Sequence, residues 1–249
     1  MKVLSSSTTS LTSGEKVQLF FCGKSAFINE AHTAKKIATM LCPEAKEVCL
    51  IHPAPDQTGQ GFQNVEWFRN GVIINADGVI LSQSGACAVM QVAGCATVTF
   101  VNTENGQVGF SHVGRPALTP SCINNWRTIL STTLLALGFR TGNAVSDKVL
   151  ALVTQPAPAR SLCYEENPSL VESFITLQEQ FPIYRLVDTG DKFNLDIFAV
   201  IKCILTEMYG FTSDNIVLYP IDEPTLSCDV AFRRRPEDAG LHNTVVVVR

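Results

Sequence analysis

The chain has 249 residues, of which 46% are hydrophobic and 17% charged, with a formal net charge of −4. That composition is globular and supplies a sizeable apolar core. A weakly acidic chain exerts no long-range pull on phosphate backbones, which argues against nucleic acid as a partner.

Residues 1–14 are rich in Ser and Thr and read as a flexible lead-in, with residues 15–249 as one domain. The lead-in carries one lysine and lacks the apolar core of a signal peptide. No window reaches the roughly 18 uninterrupted apolar residues of a membrane helix. Nine cysteines stand at irregular spacing with no C-x-x-C pair. They read as reduced thiols, and the expected location is the cytoplasm, away from membranes.

Val17–Cys22 is an apolar run, expected as a strand. Asn29 can cap a helix over Asn29–Leu41, in which Ala34, Ile37, Ala38 and Leu41 share a face. Val48–Ile51 reads as a strand delivering His52 to a Pro- and Gly-rich loop. Five short β-prone runs follow, at 72–74, 78–81, 86–92, 97–101 and 108–111. Asn105-Gly106 is a strong hairpin signal between the last two, which sets His112 just past the second strand. A helix is expected over Pro120–Leu137, capped by Ser121 and stopped by Gly138. Strands are expected over Lys148–Thr154, Ile216–Tyr219 and Asn243–Val248, and helices over Pro168–Phe181 and Leu195–Tyr209. Strands and helices intermingle without a regular βαβ alternation. The expected fold is therefore a single α/β (α+β) domain with mixed β-sheets flanked by helices.

Phosphate-binding glycine loops, the serine-hydrolase elbow, the H-E-x-x-H zinc motif and the zinc-deaminase pattern are all absent from the sequence. Two of the four histidines, His52 and His112, stand where an apolar strand gives way to a loop, the usual setting of a site. Cys95 follows Ala93-Gly94 at a break between β runs, and a hairpin separates it from His112. A strand out and a strand back can bring the two together. Spacing leaves three readings open. Cys95 and His112 can be a nucleophile and its base. With His52 they can be three ligands of a metal whose fourth position is open. They can also be a buried thiol and a turn histidine.

A resemblance bears on that choice. The segment Ala76–Leu118, ADGVILSQSGACAVMQVAGCATVTFVNTENGQVGFSHVGRPAL, resembles the centre of the laccase-domain family, also called the multicopper polyphenol oxidase or YfiH family. That family shows A-D-A/G, then L-T-A-D-C, a hairpin, and H-A-G-W-R-G. Val48–Pro53 (VCLIHP) stands where the family has a strand ending N-Q-V-H-G. Thr154–Glu165, Leu195-Asp196 and Cys228–Arg235 (CDVAFRRR) resemble its later motifs in order, so the likeness spans residues 29–249.

The resemblance implies a fold similar to the catalytic domain of cytotoxic necrotizing factor toxins. It implies a zinc site, zinc before copper, at His52, Cys95 and His112. Members of the family are described as purine nucleoside phosphorylases and adenosine deaminases, polyphenol oxidases and peptidoglycan editing factors. The implied function is zinc-dependent purine nucleoside phosphorylase or adenosine deaminase chemistry on a small nucleoside, with phosphate as co-substrate. The alternatives are a metal-free Cys–His deamidase and a diverged binding protein. Arg115, Arg234 and Tyr164 are the expected substrate-binding residues.

This chain departs from the family at several neighbours of the site. The Asp before the family cysteine is Gly94, Trp-Arg-Gly after the second histidine is Arg115-Pro116-Ala117, and Leu50-Ile51 precede His52. Asp77, close by in sequence, reads as a turn cap.

Overall fold

The computed structural model describes residues 1–53, 64–114, 128–140, 148–154, 163–164, 186–188, 193–195, 197–219 and 236–249. Two six-stranded mixed sheets form the centre of the fold.

The first sheet runs β1 (Val3–Ser10), β2 (Lys16–Ala26), β15 (Leu241–Val248), β7 (Ala86–Val92), β3 (Glu47–His52) and β5 (Ile73–Asn75). Strand β3 is parallel to both β7 and β5, and the remaining pairings are antiparallel. The second sheet runs β14 (Ile216–Tyr219), β10 (Val149–Thr154), β8 (Ala96–Asn102), β9 (Val108–Val113), β6 (Gly78–Leu81) and β4 (Val65–Trp67). A small antiparallel sheet joins β11 (Cys163–Tyr164), β13 (Phe193–Leu195) and β12 (Leu186–Asp188).

The strands alternate because a pleated strand points successive side chains to opposite faces. In β3 and β7, Cys49, Ile51, Ala88 and Met90 enter a core shared with Val101, Val108 and Phe110 of the second sheet. Val48, Leu50, Cys87 and Val89 enter a separate core under helix α1 (Ala31–Leu41), with Ala34 and Ala38. On the far side of the second sheet, α2 (Ile129–Ala136) and α3 (Ile197–Cys203) cover Val98, Phe100 and Ala151. The order of layers is therefore helix, sheet, sheet, helices. The expected stripe Ile197, Val200, Ile201, Ile204, Leu205 and Met208 is buried there. Helix α3 continues as a wider turn over Ile204–Met208, and Gly210 ends it at a φ of +68°.

Several local expectations change. The expected lead-in contains an eight-residue edge strand, β1, paired antiparallel with β2. Its Ser/Thr run is polar yet β-competent, since Thr is β-branched and one side of an edge strand needs no apolar cover. Glu30 rather than Asn29 holds the N-cap of α1, with no side-chain capping bond. Thr128 caps α2, its hydroxyl accepting from the Ser131 amide at 3.1 Å. His112 lies inside β9, and His242 inside β15. The expected helix over Pro168–Phe181 and the start of the one over Pro120–Leu137 lie outside the described residues. Among the described residues no helix is long and apolar enough to cross a membrane.

Candidate active site

Strands β3, β5 and β7 run in the same direction, so their C-terminal ends share one rim of the first sheet. Two very short crossings leave that rim for the second sheet. Ala76-Asp77 links β5 to β6, and Ala93-Gly94-Cys95 links β7 to β8. Strand β9 ends at the same place, because it is antiparallel to both β6 and β8. The fold thus gathers Asp77, Cys95 and His112 from two crossings and one strand end. Gly94 makes the second crossing possible with a φ of +102°, a conformation that a side chain at this position would resist.

The pairing of β8 with β9 sets His112 opposite Thr97. Cys95, two residues before Thr97, lies diagonally across from His112 and on the same face. The Cys95 side chain is half-buried against the core between the sheets, and it is hydrogen-bonded to His112. Asp77 engages His112 from the other side. The Asp77 carbonyl accepts the His112 backbone amide at 2.6 Å, and its Oδ1 lies 3.3 Å from His112 Nδ1. With Nδ1 facing the carboxylate, Nε2 is the nitrogen left for the thiol.

The electrostatics follow from that geometry. Burial alone disfavours the charged imidazolium, but negative charge on Cys95 and the Asp77 contact outweigh it and push His112 up to about 10. A proton held on His112 with charge on Cys95 is a thiolate–imidazolium pair, the reactive form of a cysteine nucleophile. The other described cysteines differ. Burial pushes Cys22 to about 11 and Cys49 to about 12, and raises Cys87 well above the ordinary thiol value. They behave as small apolar core residues.

His52 is placed at the same rim but on the other face. In the alternation of β3 it follows Val48 and Leu50 toward the α1 side. There its Nε2–H donates to the Ile28 carbonyl at 2.9 Å. Its ring stacks on Phe27 with centroids 5.1 Å apart, and Phe27 also touches the ring of His242 at 5.2 Å. The neighbouring strand adds Gln91, whose Oε1 accepts the Ile28 amide at 2.6 Å. His52 and Gln91 therefore hold both backbone groups of one residue.

The three expected ligands are accordingly not grouped. Among the described residues no three His, Cys, Asp or Glu side chains are arranged to hold a metal ion. Cys95 and His112 are two suitable donors with a carboxylate behind the imidazole, a common supporting arrangement for a metal-bound histidine. The third donor is spent on a backbone carbonyl. The described residues thus do not fit a three-ligand zinc centre. Asp77 joins the site through its contact with His112 instead of only capping a turn. Its signal was its position immediately before an apolar run, where a chain crossing between sheets brings a carboxylate to a strand end. Arg115, Arg234 and the Tyr164 side chain lie outside the described residues.

Comparison with known proteins fits the layered fold. The family described as multi-copper polyphenol oxidoreductase laccase matches residues 31–240. No curated protein matches the chain. Among solved structures, the chain is similar to the hypothetical protein YfiH of Bacillus licheniformis, at 15% identity and a TM-score of 0.62, over 94% of this chain and 93% of that one. It is similar to YlmD of Geobacillus stearothermophilus at 13% identity and a TM-score of 0.63, over 94% and 91%. Protein NMB0706 of Neisseria meningitidis shares 14% identity and a TM-score of 0.65, over 98% of each chain. At such identities these likenesses describe the fold.

Proposed function

We propose, for a chain that belongs to the multi-copper polyphenol oxidoreductase laccase family, that Cys95 and His112 form the working centre of a hydrolase. Its substrate is a small molecule with an amino group on an sp² carbon, a carboxamide or the 6-aminopurine ring of a nucleoside. The observation that carries this reading is the contact of Cys95 with His112, backed by Asp77.

The chemistry runs in two balanced steps. The Cys95 thiolate adds to the carbon, and the C–N bond breaks as His112 gives its proton to the departing ammonia. Water then adds to the thioester or thioimidate, with neutral His112 taking its proton. The C–S bond breaks and the thiolate–imidazolium pair returns. The net reaction consumes one water and releases one ammonia. The buried Oδ2 of Asp77 has no hydrogen-bond partner among the described residues, so it can accept an N–H from a substrate. Arg115, Arg234 and Tyr164 are proposed to bind the remainder of the substrate. Cys22, Cys42, Cys49, Cys87, Cys95 and Cys203 are free thiols, which supports a reducing compartment, and we propose the cytoplasm.

A second reading is zinc-dependent purine nucleoside phosphorylase or adenosine deaminase activity. It is favoured by the presence of His52, Cys95 and His112 in the order of the laccase-domain ligands.

Ammonia release from adenosine and from glutaminyl peptides, and base release from inosine with phosphate, test the two readings in one panel. The hydrolase reading expects ammonia release that survives a chelator and disappears in Cys95→Ser. Activity that chelation abolishes and zinc restores overturns it in favour of the second. A protein inert on every substrate with an unreactive Cys95 leaves a binding protein.

A further inference from the structure

We infer that Asp77, and not His52, is the third member of the Cys95–His112 centre, and that His52 serves as a clasp on the backbone of Ile28. This rests on the reading of Cys95 and His112 as the working pair and adds to it the residue that positions the imidazole.

Three observations carry the assignment. The first is double attachment. Asp77 holds His112 by its carbonyl on the backbone amide at 2.6 Å and by Oδ1 at 3.3 Å from Nδ1. Both the strand end and the ring are thereby fixed, and the ring cannot turn without breaking the second contact. The second is topology. Asp77 reaches the centre on a two-residue crossing between sheets, paired in register with the residue it orients, since Gly78 lies opposite Ser111. No loop movement is needed to bring it there.

The third is the occupation of His52. Ile51 pairs with Met90 and both face the core between the sheets, so the next residue must face the other way. On that face Nε2–H is committed to the Ile28 carbonyl at 2.9 Å and the ring to Phe27. Gln91 completes the grip on Ile28 through its amide at 2.6 Å. Recruiting His52 as a ligand would strip the Ile28 carbonyl of this donor and unstack Phe27. Asp77 here is a positioning residue: it acts on substrate chemistry through His112.

The test uses the full chain with ¹⁵N-labelled histidine. Four histidines give a simple spectrum, and His112→Gln assigns the His112 ring signals by their loss. A ring N–H of His112 hydrogen-bonded to Asp77 gives a downfield proton protected from exchange. That proton is expected to persist in His52→Ala, to disappear in Asp77→Ala, and to move upfield in the isosteric Asp77→Asn, which keeps the volume of the site. Titration with zinc alone is the second measurement. Its affinity is expected to stay within about twofold in His52→Ala and to fall about tenfold or more in His112→Gln. A parent chain that takes up no zinc agrees with the assignment. The assignment is overturned if His52→Ala removes the protected proton, if the Asp77 variants leave it unmoved, or if His52→Ala weakens zinc about tenfold. A chain with the expected proton signals but no ammonia release on any substrate refutes the hydrolase and leaves the assignment of Asp77 standing.

Discussion

Asp77 and His112 meet twice, amide to carbonyl at 2.6 Å and ring to carboxylate at 3.3 Å, although 35 residues separate them in the chain. The two contacts join a crossing between sheets to the end of β9, so the orientation of the imidazole is tied to the packing of the two sheets.

Stability should depend on pH through His112. Burial opposes its charged form, yet charge on Cys95 and the Asp77 contact push it up to about 10. The folded chain therefore keeps a proton that the unfolded chain releases near the ordinary value of about 6.5. The stabilisation is complete below that value and is lost as the pH rises toward 10. Between pH ~8.5 and ~10, where the unfolded thiol is charged as well and no longer offsets the His112 proton, the urea midpoint of the parent should fall more steeply than that of His112→Gln. Parallel slopes for the two proteins would count against the raised proton affinity.

Alkylation should be selective. Cys95 is half-buried at the rim beside His112, whereas Cys22, Cys42, Cys49, Cys87 and Cys203 are buried and their thiols are raised, chiefly by burial. Peptide mapping after brief iodoacetamide treatment near pH 7 should find Cys95 labelled before those five. His112→Ala should slow that labelling about tenfold or more. Equal labelling of Cys95 and Cys49 in the folded protein would contradict this account.

Gly109 should not tolerate a side chain. It lies on the α2 side of β9, where an added Cβ would stand 2.4 Å from Thr133 Cγ2 and 3.1 Å from Leu137 Cδ1. The same interface carries the Ser111–Thr133 hydroxyl bond at 2.6 Å. Gly109→Ala should cost about 1–3 kcal/mol by overpacking, read as a lower urea midpoint at unchanged slope. An unaltered midpoint would mean that α2 packs elsewhere.

Gln91 should matter beyond its polarity. Its amide is buried, accepting from Ile28 at 2.6 Å and donating to Ser25 Oγ at 3.0 Å and the Ala26 carbonyl at 2.9 Å. Gln91→Met keeps the length but leaves the Ile28 amide unsatisfied, at an expected cost of about 1–3 kcal/mol. Because His52 holds the same residue, the double variant with His52→Ala should depart from additivity. Strict additivity would dissolve the clasp.

Much of the secondary structure could be read locally. The runs at 78–81 and 86–92 coincide with β6 and β7, and the Asn105-Gly106 hairpin falls between β8 and β9. These segments carry β-branched and apolar residues bounded by turn residues, so pattern and propensity agree. The strand Val3–Ser10 was not legible, because Ser and Thr at an edge resemble a polar tail until β2 supplies partners. Of the site, Cys95 and His112 were legible as a pair, since one hairpin joins them. Asp77 was not, because its carboxylate acquires a partner only when β6 lies against β9.

The amino-acid sequence by itself determined most strands of the two large sheets, that a hairpin brings Cys95 near His112, and which family the chain resembles. These depend on spacing along the chain and on nearby turn residues. Only the tertiary structure decided which side chains share a face. The parallel pairing of β3 with β7 turns His52 toward Ile28, and the two short crossings bring Asp77 to His112. Strand register between distant segments sets the side of a sheet on which a residue emerges, and a shift of one residue reverses it.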